Sequence, residues 1–69
     1  MAGPETRREI AKHHVVEARR IIDRQKRLIE RRKQSGLDTS DAEALLRSFE
    51  RSLATFEDEL AVEMKRALD

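Results

Sequence analysis

The stretch Ser35-Gly36-Leu37-Asp38-Thr39-Ser40-Asp41-Ala42-Glu43 reads as a stop followed by a restart. Gly36 is the residue type that takes the left-handed conformation at a helix C-terminus. Thr39 and Ser40 are residue types that accept a hydrogen bond from a free backbone N–H at a helix start, and Ser40-Asp41-Ala42-Glu43 matches a capping box. Asp41 and Glu43 then suit the positive end of the helix dipole. On either side the chain is free of helix breakers. Between Gly3-Pro4-Glu5, which reads as a helix start because proline is tolerated at the first helical position, and Gln34 there is no Gly or Pro, nor is there one from residue 40 to 68. The expected organisation is one domain over residues 1–69, with helix one at about 4–35, a turn at 36–39 and helix two at about 40–68.

Apolar spacing supports two helices with one seam each. In helix one Ala11, Val15, Ala18, Ile22, Gln25, Ile29 and Arg32 alternate by four and three residues. In helix two Ala42, Leu46, Phe49, Leu53, Phe56, Leu60, Glu63 and Ala67 do the same. These are heptad seams. Val15, Ile22 and Ile29 are the a positions of helix one; Leu46, Leu53 and Leu60 are those of helix two. Folding back at Gly36 pairs residues whose numbers sum to about 75, as an antiparallel coiled-coil-like register requires. Ile29 then meets Leu46, Gln25 meets Phe49, Ile22 meets Leu53, Ala18 meets Phe56 and Val15 meets Leu60. Small opposite large at Ala18 and Phe56 suits interdigitation. Gln25 in mid-seam reads either as a polar specifier of register or oligomeric state, or as a side chain reaching solvent beside Phe49.

The flanks test that register. The e positions carry Lys12, Arg19, Lys26 and Lys33 in helix one, and Glu43, Glu50, Glu57 and Met64 in helix two. The e flanks meet in an antiparallel pair, so Lys33–Glu43, Lys26–Glu50 and Arg19–Glu57 are expected as opposite-charge pairs. The g flank carries His14, Ile21 and Leu28 against Leu45, Ser52 and Glu59, apolar toward the turn. Val16, Ile10 and Val62 add apolar surface off the seam. Two helices meeting along one stripe rarely supply more than about 3–5 kcal/mol in a chain of this size. With no cysteine to staple it, self-association into a homodimeric four-helix bundle is expected. Ile21, Leu28, Leu45 and Val16 are the expected dimer or partner interface.

Composition sets further bounds. Of 69 residues, 42% are charged and 3% aromatic, with two glycines and no cysteine. That excludes a disulfide framework, a thiolate metal site and a glycine-rich phosphate loop. The chain has no long apolar run, so neither a membrane span nor a signal-peptide core is expected, and a cytoplasmic location follows by default. The net charge of +1 conceals a split. Residues 1–37 carry 11 basic and five acidic side chains, net +6; residues 38–69 carry four and nine, net −5. Two complementary segments packed on each other account for this; contact of the basic half with nucleic acid or an acidic partner is the other reading.

Each chemical motif has a plain alternative. His13-His14 suggests metal binding, with Glu17 one turn on from His13 and Glu59 across the seam from His14. Adjacent helical residues diverge by about 100°, and a zinc site needs three or four ligands, so no metal or cofactor is expected. Glu57-Asp58-Glu59 reads as a solvated face, and no nucleophile has a base and a pocket, so catalysis is not expected. Eight cations fall in the fifteen residues from Arg19 to Lys33, and Arg20, Arg24, Arg27 and Arg31 form a stripe facing away from the seam. Against a phosphate-binding role stand Glu17, Asp23 and Glu30 within the field, the acidic second helix, and aromatics committed to the seam. The expected function is a non-catalytic, self-associating hairpin that acts as a protein-interaction or regulatory module; the alternative is a small nucleic-acid-binding dimer using the stripe.

From His14 to Leu60 the chain resembles a family of short uncharacterised alphaproteobacterial helical-hairpin proteins. The features are Ala18-Arg19-Arg20, Ile22, Arg24-Gln25 and Leu28-Ile29, then Gly36, Asp38-Thr39, Ala42-Glu43, Leu45-Leu46, Phe49-Glu50 and Leu53. The resemblance implies a natural bacterial hairpin. It carries no activity, so it transfers no functional residue.

Overall fold

The computed structural model describes residues 4–68. It contains two α-helices, α1 over Pro4–Gln34 and α2 over Ser40–Leu68, with no strand among the described residues. Of the expected features, Gly3 and the side chains of Glu5 and Ala67 lie outside the described residues. The helices pack antiparallel as a hairpin about 52 Å long.

Helix α1 ends at Gln34, one residue before the expected position. The stop is a Schellman motif: Leu37 N–H donates to the Arg32 carbonyl at 2.9 Å and Gly36 N–H to the Lys33 carbonyl at 3.0 Å. Gly36 has φ +74°. A methyl group at that position would meet nothing within 4 Å, so glycine serves conformation alone. Arg32, the last seam position in sequence, is exposed, because its turn is already closing. Basic side chains at Arg31, Arg32 and Lys33 sit where the helix dipole is negative.

The start of α2 departs from the expected capping box. Thr39 is the cap residue by backbone, since its carbonyl accepts the first helical bond from Glu43 N–H at 2.8 Å. The Asp38 carboxylate, one residue earlier, does the capping. Its Oδ1 accepts both the Ser40 N–H at 2.9 Å and the Ser40 hydroxyl at 2.7 Å. Ser40 is therefore a donor, and Glu43 turns to Lys33 at 3.3 Å. Asp38 thus takes the Ser40 N–H that a capping box assigns to the Glu43 carboxylate. The Ser40 hydroxyl, and secondarily its N–H, hold the exposed Asp38 carboxyl below the ordinary aspartate value.

The seam runs as expected, with an unexpected division of burial. Ala11, Val15, Ala18, Ile22, Gln25 and Ile29 of α1 are all 5–8% exposed, as is Ala42 of α2. Leu46, Phe49, Leu53, Phe56 and Leu60 of α2 are only half-buried. Short side chains on α1 disappear beneath long ones on α2, whose far sides stay in water. Gln25 does not reach solvent. Its Nε2 donates to the Ala42 backbone carbonyl at 2.9 Å. Ala42 itself is buried in the seam, so the bond forms out of water. This buried amide holds α1 against the first turn of α2.

Three substitutions probe these contacts. Gly36→Ala forces a side chain into the left-handed region and is expected to cost about 1–2 kcal/mol in urea denaturation. Gln25→Glu replaces the buried donor with an acceptor facing a carbonyl and is expected to cost about 1–3 kcal/mol at neutral pH. Protonation restores a donor, so that loss should shrink as pH falls; a pH-independent loss would mean the Gln25 bond is not formed. Asp38→Ala should lower Tm at neutral pH. A depressed carboxyl contributes above its unfolded-state pKa and loses that contribution as pH falls through the folded value, so the two proteins' melting temperatures should converge in acid, below the ordinary aspartate range.

Candidate functional site

The hairpin has two unlike flanks. The e flank is closed by ion pairs: Arg19 meets Glu57 at 3.4 Å and Lys33 meets Glu43 at 3.3 Å. Both residue pairs sum to the same number, which confirms the antiparallel register. The third expected pair, Lys26 with Glu50, does not come within 4 Å among the described residues. Two long solvated side chains gain too little from one contact to be held in it.

The g flank is open. Between α1 and α2 lies a groove of about 310 Å³ lined by His14, Glu17, Ala18, Ile21, Phe49, Ser52 and Phe56. Its shape follows from residue size. Ala18 forms a low floor, Ser52 leaves a notch in the α2 wall, and both phenylalanines occupy d positions, which lean toward this flank. The His14 ring rests on Phe56 with centroids 5.0 Å apart. His14 also lines the next groove along, together with Glu59, Glu63, Arg7, Ile10 and Ala11, so it sits on the same flank as Glu59. Among the described residues no three His, Asp or Glu side chains converge as metal ligands.

Of the expected interface residues, Ile21 and Leu45 are 41% and 46% exposed on this flank. Leu28 lies between them in level and is half-buried. Val16 is exposed at 53% but does not join them. Five residues from Ile21 along a helix, it stands about 140° away round the axis, toward the closed flank. Ile10 and Val62, both exposed, extend the apolar character of the open flank toward the chain termini.

The arginine stripe is partly occupied by its own helix. Arg20 pairs with Glu17 at 3.5 Å and Arg27 with Asp23 at 2.6 Å. Arg24 and Arg31 have no acidic partner within 4 Å among the described residues. Arg66 is held by Glu63 at 3.1 Å at the far end of the seam. No helix among the described residues is long and apolar enough to cross a membrane.

Comparison with protein-family models, curated proteins and solved structures finds no match for this chain.

Proposed function

We propose that this chain is a non-catalytic helical hairpin that self-associates into a four-helix bundle and serves as a protein-interaction or regulatory module in the bacterial cytoplasm. One observation carries the reading: among the described residues no large side chain is fully buried, and the apolar row of α2 is half in water. Covering Phe49, Leu53 and Phe56 from the outside would remove apolar surface from water at about 25 cal/mol per Å². A single seam offers no other means of covering them. The open flank supplies a continuous surface for this from Leu45 through Ile21 to Ile10, and the ion-paired flank does not.

The alternative is a nucleic-acid-binding dimer that uses Arg20, Arg24, Arg27 and Arg31. Arg24 and Arg31 favour it, since the described residues leave both cations available to phosphate. Glu17 and Asp23 already engage the other two, which halves the stripe's free charge.

Light scattering over a concentration series tests the leading reading. It should give twice the chain mass, with a Tm that falls by a few degrees per tenfold dilution. Leu45→Glu should convert the protein to a monomer with reduced helix content at low micromolar concentration. A monomer whose helix signal survives dilution would overturn the reading. Reversing the charge of the four arginines should leave association intact. Gel shift with duplex RNA or DNA at about 50 mM salt should show no complex; a salt-sensitive complex lost on charge reversal would establish the alternative.

A further inference from the structure

Resting on that self-association, we propose how the second copy is seated. The two hairpins lie with their turns at the same end, related by a twofold axis along the bundle, so that α1 of each packs against α2 of the other. Isologous pairing of two hairpins through their open flanks allows two arrangements. An axis parallel to the helices places α1 beside the partner's α2. An axis perpendicular to them places α1 beside the partner's α1 and sends the turns to opposite ends.

Charge separates the two. Residues 4–34 carry 11 basic and five acidic side chains, while residues 40–68 carry four and seven. The perpendicular axis sets a helix of net +6 against its own copy. The parallel axis sets it against one of net −3. Opposite potentials across an interface favour the second, and like-charge juxtaposition is costly.

Apolar levels agree independently. Within a hairpin, residues whose numbers sum to about 75 share a level along the axis, and a parallel twofold preserves that level. Leu28 then meets the partner copy's Leu45 level near the turn, and Ile10 meets the Val62 level near the termini. Ile21 falls at the level of Ser52, beside the notch bounded by Phe49 and Phe56. A half-exposed isoleucine opposite a serine-floored notch between two phenylalanines is a knob facing a hole. With the perpendicular axis, the apolar turn end of Leu28 and Leu45 would lie over the part of the flank lined by Arg7, His14, Glu59 and Glu63.

The test is a single distance. The chain has no cysteine, so Ser35→Cys in the exposed turn takes one spin label per copy. Pulsed electron–electron resonance on the intact protein reports only the separation between copies. Interaxial distances of about 10 Å put the two turn labels within about 30 Å of each other in the proposed seating. A separation near the 52 Å length of the hairpin would overturn the seating while leaving self-association in place. Absence of any distance, with light scattering of the same sample giving a monomer, would overturn both. A second label site, Ser40→Cys in the first turn of α2, should give a similarly short distance.

Discussion

Two helices in contact enclose only what lies directly between their axes. The seam side chains of α1 from Ala11 to Ile29, Gln25 among them, fit in that space and are buried. A leucine or phenylalanine on α2 extends past the contact line, and its outer half stays wet whatever its partner. This geometry, more than any single bond, shapes the molecule. It explains why no large side chain among the described residues is fully buried. The usual source of stability in a small chain, a few large side chains wholly removed from water, is therefore missing at the level of one hairpin.

Polar contacts take on the job of alignment under that constraint. The Gln25 amide reaches the Ala42 backbone carbonyl, close to the turn. Arg19 with Glu57 and Lys33 with Glu43 report one register, on the solvent side. The exposed ion pairs contribute little energy, but they cover the e flank with charge. Desolvating that flank against another protein would cost more than desolvating the other. The same choice of residues that sets the register thus directs association to the g flank, where Ile21, Leu45 and the edges of both phenylalanines face outward.

The hairpin was legible in the sequence because its signals are local and redundant. Gly36 announces the stop, and two independent seams agree on the fold-back. The finer features were less legible, each for a stated reason. Ser40-to-Glu43 matches the capping-box pattern, yet Asp38 takes the Ser40 N–H in place of Glu43, a choice between two carboxylates that spacing alone does not decide. Lys26–Glu50 fits the heptad as well as its neighbours do, but a heptad position fixes only where a side chain starts. Val16 is as apolar as Ile21 and was grouped with it on composition; helical rotation separates them. The partner of Gln25 was hidden because a backbone carbonyl leaves no mark in a sequence. Binary patterning scores both seams alike, so the half-burial of α2 leaves no mark in it.

Charge segregation along the chain links the fold to its assembly. A hairpin whose two helices had equal charge would have no electrostatic preference between seating its copy with turns together or apart. Here one helix is strongly basic and the other acidic, so the field of each hairpin is dipolar across its width. Alternating the helices cancels those fields at short range, and the proposed seating does so at all four contacts of the bundle. It also bears on the arginine stripe. With α1 beside the partner's α2, the two stripes occupy diagonal corners, each flanked by acidic helices on both sides. Seated the other way, the stripes would merge into one broad basic face able to follow a phosphate backbone. The arrangement that best satisfies the charges inside the bundle is thus the one that weakens its outward pull on nucleic acid, so a single feature of the sequence favours protein self-association and disfavours the competing use of the same arginines.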